Sequence, residues 1–407
     1  MNPIPSRPLL SIAVSLALGT FLAAGTLRGG DWPHWLGPKG DNTAAADGFD
    51  ADLAQWKDGW KASLGRGYSS VAVADGRAYC IGHDEKAGET VFCFDAATGE
   101  SRWKHAYPAE LMPRMHSGGP NATPTVVGNK VITVSKDGQV FCLATADGGK
   151  LWQAKLSDAL GIEVPRWGFG ASAVVDGQQV LFAAGKVVAL DLADGHKLWT
   201  SKEAYHPGYA TVSVFVQGGK KFVAALDGKG FSVLDAKDGA EIARRPFKSG
   251  FDLNATSPTV LPDGKRILVA GNSAAELLAF DGSALTAVWS IKELKNAMNN
   301  SVIVGDTIYG IDGRQGSSAR LVAVNLADGK VLWAKDGFGY GNTIGVGSDV
   351  LALTESGELV TFRASRDGYK ELGRRQVLAK TCWTTPVLAA GRIYARNDRG
   401  DLVTLRR

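Results

Sequence analysis

The stretch VVALDLADGHKLW at residues 187–199 reappears as LVAVNLADGKVLW at residues 321–333. Two further copies, VFCFDAATGESRW (91–103) and VFCLATADGGKLW (140–152), keep the same order of an apolar segment, a turn and a segment with tryptophan. Asp-Gly and Thr-Gly suit tight turns between antiparallel strands, because glycine takes a positive φ without a Cβ clash. The pattern therefore predicts a repeated β-structural unit.

The repeat continues along most of the chain at a nearly constant period. Weaker copies begin at residues 231 and 277, and degenerate copies at 359 and 402, which makes eight. The tryptophan position recurs every 43 to 49 residues, with alanine once in its place. Its occupants are Trp60, Trp103, Trp152, Trp199, Ala243, Trp289 and Trp333.

Each unit contains about four strands. In the first unit they are predicted at residues 68–73, 78–82, 91–95 and 101–107. A four-stranded antiparallel sheet repeated at this period is typical of a β-propeller blade. A superhelical solenoid is the competing architecture, and the all-β, four-strand unit disfavours it. The tryptophans are predicted to be structural, each packing against the adjoining blade with its N–H on a backbone carbonyl of the neighbouring turn.

The two ends of the repeat region predict how the ring closes. The last unit has three strands, in WTTPVLA, RIYARN and DLVTLRR, and lacks a fourth. The segment QWKDGWKASL (55–64) precedes the first unit and has no blade of its own. If it supplies the missing strand, the chain forms an all-β, eight-bladed propeller closed by N- and C-terminal strands that share one blade. Such pairing removes two exposed sheet edges.

Composition and the N-terminal residues bound the location. The 407 residues are 45% hydrophobic and 21% charged, and the net charge of +4 argues against a nucleic-acid surface. Residues 9–25 form an apolar run after Arg7, with small residues at its end, which is typical of an export signal. An uncleaved membrane anchor is the alternative. The first cysteine is Cys80, so no lipid-bearing N-terminal cysteine is available. We assign 1–25 to the signal, 26–54 to an N-terminal extension and 55–407 to the propeller.

The repeats, of which DAATGESRW is one, resemble the tryptophan-docking repeats of the pyrroloquinoline-quinone (PQQ)-like propeller family, over about 55–407. DWPHWLGPKGDN (31–42) is similar to the W-P-x-W-R-G-P opening of exported propellers of planctomycetes and related bacteria, with Leu36 where arginine is usual. A more distant resemblance is to BamB. The resemblance implies the propeller fold and export, and little about activity.

The segments that lead into the innermost strand of each blade vary, whereas the turns repeat. A ligand site requires such variation, because identical units cannot form an asymmetric pocket. Arginine, histidine and flat aromatic rings here suit a planar or anionic ligand. A solvated channel wall is the alternative interpretation. The residues predicted to bind a cofactor or other small ligand are Arg66, Arg114, His116, Asn121, Arg166, Trp167, His206, Asn254, Asn342 and Trp383.

No catalytic set is predicted. The PQQ dehydrogenases of the family carry an adjacent cysteine pair and a calcium site, whereas the four cysteines here include no adjacent pair. Asp252, Asn254, Asn299 and Asn300 offer oxygen ligands for calcium, so PQQ and calcium stay open as cofactors without support from a motif. A disulfide between Cys80 and Cys93, on neighbouring strands, also stays open.

These observations favour a non-catalytic binding scaffold in the periplasm or otherwise outside the cytoplasm. The expected partner is a protein or a cell-envelope polymer, with a small planar or anionic ligand at the channel mouth as a further option, and the protein is expected to be a monomer. The alternatives are a PQQ- and calcium-dependent dehydrogenase of alcohols or sugars, and an outer-membrane protein assembly factor like BamB.

Overall fold

The structure is a computed structural model that describes residues 30–114, 116–315 and 318–407. The predicted export signal at 1–25 lies outside the described residues. Within the described part of the chain, no helix combines the length and apolar character needed to cross a membrane.

Eight sheets follow one another along the described chain, and each contains four antiparallel strands that are consecutive except where the chain ends meet. One sheet also carries the short parallel strand Thr43–Ala44. Blades 1 to 4 consist of Ala72–Ala74, Arg77–His83, Glu89–Asp95 and Ser101–Tyr107; Thr125–Val127, Lys130–Val134, Gln139–Ala144 and Lys150–Lys155; Val174–Asp176, Gln179–Ala183, Val187–Asp191 and Lys197–Thr200; and Ser213–Gln217, Lys220–Leu226, Gly230–Asp235 and Glu241–Pro246.

Blades 5 to 8 continue the same up-and-down order. They consist of Thr259–Val260, Arg266–Ala270, Ala275–Phe280 and Leu285–Ile291; Val302–Val304, Thr307–Asp312, Arg320–Asn325 and Val331–Lys335; Gly341–Val346, Asp349–Thr354, Glu358–Arg363 and Glu371–Gln376; and Val387–Ala389, Arg392–Arg396, Asp401–Arg406 and Lys57–Ser63. The short helices are Leu53–Gln55, Leu156–Leu160 and Gly250–Asp252.

The ring closes as the sequence predicts, which confirms the eight-bladed propeller. The N-terminal strand Lys57–Ser63 pairs antiparallel with Asp401–Arg406 and completes blade 8. A buried arginine then joins blade 8 to blade 1. The Nη1 of Arg396 donates to the carbonyl oxygens of Ser69 and Ile81 at 2.9 and 2.7 Å. The closing blade is therefore attached through both strand pairing and a side-chain clamp.

The hydrophobic core lies between neighbouring blades. Tyr79, Cys93 and Trp103 of blade 1 pack with Val131 and Phe141 of blade 2, and similar clusters recur around the ring. The second and third strands are apolar at successive positions because blades cover both of their faces. The fold is therefore held by face-to-face stacking of eight sheets.

The predicted role of the tryptophan column is confirmed. Five indole N–H groups donate to a backbone carbonyl of the next blade at 2.8 to 3.1 Å. Each donor ring but one packs on a turn glycine of that blade; a Cβ added at Gly195, with φ of 79°, would lie 2.6 Å from Cε3 of Trp152. The pairs are Trp60–Ala96, Trp103–Thr145, Trp152–Leu192, Trp289–Leu326 and Trp333–Ser365.

Two interfaces replace this contact by a glutamine. Trp199 donates to the Oε1 of Gln179 at 2.9 Å, and the amide of Gln179 donates to the carbonyl of Ala236 in blade 4. Blade 4 has Ala243 in the column, and Gln217 donates to the carbonyl of Phe280 at 2.8 Å. The docking hydrogen bond is thus kept where the indole cannot make it.

The N-terminal motif crosses the central channel. Trp32 exchanges two backbone hydrogen bonds with Val73 in the inner strand of blade 1, both at 2.8 Å. The indole of Trp35 donates to the Oγ of Ser257 in blade 5 at 2.9 Å. Blades 1 and 5 stand opposite each other in an eight-membered ring, so the segment between them spans its axis. We call residues 30–44 the plug.

The plug leaves the channel along blade 7. The Nδ2 of Asn42 donates to the carbonyl of Thr343, and Thr43–Ala44 pairs in parallel with Gly345 and Val346. Residues 30–44 of the extension assigned to 26–54 are therefore packed inside and against the propeller. The sequence pattern of the extension did not predict this position.

The cysteines are all free and buried. Cys93 pairs with Tyr79, whereas Cys80 pairs with Phe92, which places the two thiols on opposite faces of blade 1. Cys80 belongs to the core shared with blade 8 and Cys93 to the core shared with blade 2. In this register the two thiols point away from each other, so a Cys80–Cys93 disulfide cannot form.

Candidate functional site

The antiparallel order of the strands divides the ring into two faces. The segments that connect one blade to the next end at the same side as the hairpins between second and third strands. We call the former connector segments and this side the connector face. The tryptophan-docking turns lie at the opposite side. All ten residues predicted to bind a ligand come from connector segments or, for Asn342, from the second residue of an inner strand, so they share the connector face.

A row of rings crosses four connector segments. Trp383 stacks on Tyr68 with ring centroids 5.4 Å apart and an interplanar angle of 17°. Tyr68 meets His116 edge-on at 5.7 Å, and His116 meets Trp167 at 5.8 Å. The segments before blades 8, 1, 2 and 3 are thereby joined. We call Trp383, Tyr68, His116 and Trp167 the aromatic row.

The predicted cations surround this row unevenly. The guanidinium of Arg166 is exposed and its Cζ lies 5.3 Å from the centroid of the Trp167 ring. The Nε of Arg66 contacts Oε1 of Glu85 at 2.5 Å. Arg114 and His206 are exposed, and His206 lies at the connector before blade 4, beyond the row. Arg166 is thus the cation that the structure places directly on the aromatic row.

The three predicted asparagines are turned into the fold. The Nδ2 of Asn254 donates to the carbonyl of Asp227 at 2.8 Å, and the Nδ2 of Asn342 donates to that of Trp383 at 2.9 Å. Asn254 and Asn342 are fully buried. The Oδ1 of Asn121 is buried and has no hydrogen-bond partner among the described residues. The amides of Asn254 and Asn342 therefore serve contacts between blades.

These bonds belong to a closed girdle at the channel wall, where short polar side chains join each inner strand to the next. Serine, threonine and asparagine are suited to this because they bond backbone groups within a few ångströms. Seven joints involve side chains, and the joint between blades 1 and 2 is a backbone bond from the N–H of Ser69 to the carbonyl of Pro120. The side-chain joints are Ser70–Thr385, Thr123–Ser172, Ser172–Thr211, Ser213–Pro258, Asn300–Ser257, Thr343–Asn300 and Asn342–Trp383. The polar channel wall is thus largely occupied by bonds between blades.

An ionisable pair beneath the aromatic row was missed by the sequence analysis. Glu89 and Lys136 are both fully buried, and the Oε2 of Glu89 accepts from the hydroxyl of Tyr107 at 2.8 Å. The Nζ of Lys136 has no hydrogen-bond partner among the described residues. Burial raises the pKa of Glu89 to about 7 and lowers the pKa of Lys136 to about 8. Burial, followed by the charge of Lys136, lowers the pKa of His116 to about 4.

The substitution Glu89→Gln should make the protein relatively more stable as the pH rises. A carboxyl whose pKa is raised from 4.5 to about 7 contributes its full stability below pH 4.5, and this is lost as the pH rises through 7. At 1.36 kcal/mol per pKa unit, the difference in unfolding free energy between variant and wild type should shift by about 2–3 kcal/mol towards the variant between pH 4.5 and 7. Urea titrations at several pH values measure it.

The variant must be compared with the wild type because the titration of His116 changes the stability in the opposite direction to the titration of Glu89. Its lowered pKa adds stability as the pH rises from 4 to 6.5, so the wild-type curve alone conceals the carboxyl. Lys136 titrates at higher pH, and Tyr107 and Asp137 complete the surroundings of Glu89. Parallel curves for Glu89→Gln and wild type over this range would show that Glu89 titrates normally.

Most oxygen atoms of the residues offered for calcium already have partners. Oδ1 of Asn299 accepts from Nδ2 of Asn296 at 3.2 Å, and Oδ1 of Asn300 accepts from the backbone N–H of Ser257 at 3.3 Å. The Asp252 carboxylate pairs with Lys229 at 3.6 Å. One face of the Trp383 ring is covered by Tyr68. Other groups of the propeller therefore engage oxygen atoms of Asn299, Asn300 and Asp252, whereas Oδ1 of Asn254 has no hydrogen-bond partner among the described residues.

One exposed cluster has the spacing of a metal site, on the face opposite the aromatic row. Carboxylate and imidazole atoms of Asp191, Asp194 and His196 lie within 4.8 Å of one another. However, Oδ1 of Asp191 accepts from the backbone N–H of Ala193, and Nδ1 of His196 lies 2.6 Å from Oδ1 of Asp194. These are the local bonds of a tryptophan-docking turn.

Comparison with known proteins gives the relationship. The family profile described as outer membrane protein assembly factor BamB matches residues 47–207 and 185–407. BamB of Burkholderia pseudomallei (strain K96243) is 26% identical over 300 residues, which are 68% of each chain. Among solved structures, BamB from Moraxella catarrhalis superposes with a TM-score of 0.63 at 16% identity, covering 86% of this chain and 98% of that one.

Quinone enzymes share the fold. Quinohemoprotein alcohol dehydrogenase from Comamonas testosteroni superposes with a TM-score of 0.69 at 12% identity, covering 92% of this chain and 80% of that one. Identity at this level shows the architecture alone. The family profile spans nearly all of the described chain, and the chain therefore belongs to the BamB family of PQQ-like repeat propellers.

Proposed function

We propose that this protein is a non-catalytic binding scaffold of the cell envelope that engages another protein through its connector face. One observation carries the proposal: the channel is crossed by the plug and lined by the girdle, while aromatic and basic side chains stand on the connector face. A propeller whose axis is filled by its own chain presents a surface at this face. Aromatic and arginine side chains are the residues enriched at the centres of protein interfaces.

A second feature of the same face supports a protein partner. Phe251, in the connector segment before blade 5, is 87% exposed. It has a φ of 64° and is followed by Asp252 at 51°, a conformation that is strained for residues other than glycine. The backbone N–H of Gly250 donates to Oδ1 of Asn272 at 2.6 Å and holds the loop. An exposed aromatic side chain on an already ordered loop binds with less loss of backbone conformational entropy.

The role in the assembly of outer-membrane proteins is the second candidate, and family membership favours it over the dehydrogenase. The family description and the Burkholderia relative carry that role by name. The similarity of DWPHWLGPKGDN to the opening of exported propellers supports a location outside the cytoplasm. A small planar or anionic ligand on the aromatic row and Arg166 is compatible with the scaffold, since it requires no catalytic group.

Photo-crosslinking in the native host tests the scaffold proposal. A photoreactive amino acid at Arg166 or Phe251 samples the connector face, and one at Asp194 samples the opposite face as a matched exposed control. We expect discrete crosslinked products from Arg166 and Phe251, with one partner identified by mass spectrometry from both positions. Equal products from Asp194, or none from the connector face, would contradict the proposal.

Reconstitution separates the scaffold from the dehydrogenase. Purified protein is incubated with PQQ and calcium, and dye reduction is followed with alcohols and sugars as substrates. We expect no saturable uptake of PQQ and no substrate-dependent reduction.

Deletion of the gene tests the assembly role separately. The amounts of outer-membrane proteins should then fall, and the wild-type gene should restore them.

A further inference from the structure

A cavity of about 580 Å³ lies between blades 3 and 4 and originates in unequal strand lengths. The outer strand of blade 3, Lys197–Thr200, has four residues, whereas that of blade 4, Glu241–Pro246, has six. The second strand of blade 3 is also shorter, with five residues against seven. The strands of blade 3 therefore stop before those of blade 4 do, which leaves a gap between the two blades. The connector segment that follows blade 3 crosses this gap.

The wall of this cavity is a fixed polar network. The hydroxyl of Tyr205 donates to the Glu241 carboxylate at 3.1 Å, and that of Ser232 donates to the same carboxylate at 2.9 Å. The Nη1 of Arg244 donates to Oδ2 of Asp227 at 2.6 Å, and its Cζ lies 3.3 Å from the centroid of the Tyr205 ring. The backbone N–H of Tyr205 donates to the Gly185 carbonyl, which fixes the segment above the cavity.

The lining combines donors and acceptors of both charges. Lys186 and Lys202 contribute ammonium groups, while the carboxylates come from Glu203, Asp227, Asp238 and Glu241. An organic anion would approach four carboxylates, of which Asp227 is already paired with Arg244, and an organic cation would approach the two ammonium groups with Arg244 behind them. A neutral ligand rich in hydroxyl groups can both donate to the carboxylates and accept from the lysines. The volume lies within the range of small-molecule sites.

We propose that the cavity between blades 3 and 4 binds a neutral sugar of one or two rings. The hydroxyl groups of the sugar replace water on Glu241, Lys186 and Lys202, and its C–H face packs beside Tyr205 and the small apolar residues of the floor, Ala183 and Ala225. The site lies at the periphery of the ring, so it is separate from the aromatic row. It operates whether or not the proposed protein interface exists.

Saturation-transfer NMR on the purified full chain tests the site, with cellobiose and N,N′-diacetylchitobiose as probes. We expect saturable transfer to at least one disaccharide at concentrations up to about 10 mM. Glu241→Gln should weaken binding about tenfold, because a charge-assisted hydrogen bond is lost. Ala183→Phe should abolish it by filling the cavity. Glu110→Gln, an exposed change on the connector before blade 2, should leave binding unaltered.

Chitin beads provide a second arm that distinguishes a free sugar from a glycan chain. Retention on the beads that Ala183→Phe abolishes identifies a polymer ligand, and disaccharide binding without retention identifies a free sugar. Both variants are first required to keep the wild-type unfolding midpoint, and Glu241→Gln suffices if Ala183→Phe does not. Absence of binding by wild type to both disaccharides and to chitin, or equal binding by Glu241→Gln and wild type, would overturn the proposal.

Discussion

Trp152→Ala is expected to destabilise the propeller by about 3–5 kcal/mol. The indole is 6% exposed, donates to the carbonyl of Leu192 at 3.1 Å and packs on Gly195 of the next blade. Removing it leaves a cavity between blades 2 and 3 together with an unpaired carbonyl. The turn requires the left-handed backbone of Gly195, so it cannot move easily into the space that the indole leaves.

Two variants of the same strand make this measurement specific. Trp152→Phe keeps most of the buried area and loses only the N–H donor, so it should cost about 1 kcal/mol from the hydrogen bond plus the smaller ring. Leu151→Ala changes the preceding residue, which is 48% exposed, and should lie within about 0.5 kcal/mol of wild type. Denaturant unfolding gives all three values. A loss for Trp152→Ala as small as that of Leu151→Ala would mean that docking contributes little.

The fold was predictable because every unit repeats the features that build it. The Asp-Gly turn sets the hairpin, the glycine admits the indole, and the small residue opposite the tryptophan, such as Cys93 or Ala189, leaves room for it. Closure was predictable because the last unit lacked one strand, whereas the segment at residues 55–64 was a strand without a blade. Each inference used a pattern seen several times in one chain.

The candidate site was less accessible to sequence analysis. A polar residue in a connector segment can bind a ligand or bond the next blade, and both uses select the same residue types. Trp167 and Trp383 stand on the connector face, whereas Asn342 belongs to the girdle. Only the distances between blades separate these cases. The pair of Glu89 and Lys136 was hidden for the same reason, since the two residues lie 47 positions apart.

The position of the plug also depends on contacts that leave no periodic trace. A single segment that bonds the inner strands of blades 1, 2 and 7 and the connector segment before blade 5 has no repeat against which to be compared. Its composition, with two tryptophans, two prolines and two glycines in residues 31–40, indicates a compact turn and gives no partner.

Trp32→Ala is expected to release the plug, with a loss of at most about 3–5 kcal/mol. The ring is 1% exposed, and a Cβ added at Gly37 would lie 2.9 Å from its Cζ3. The loss is limited by the free energy with which the plug binds the channel, because the ring of blades keeps its own strand pairing. Local release rather than global unfolding should therefore carry the effect.

Amide hydrogen exchange distinguishes the two events. The N–H groups of Val73, Val126 and Gly345 belong to inner strands but donate to the plug carbonyls of Trp32, Pro33 and Asn42. In Trp32→Ala these three amides should exchange faster, while amides of the second and third strands in the same blades keep wild-type protection. Uniform loss of protection would mean that the eight blades depend on the plug for their cohesion, and unchanged exchange at all three positions would mean that the plug is held by residues other than Trp32.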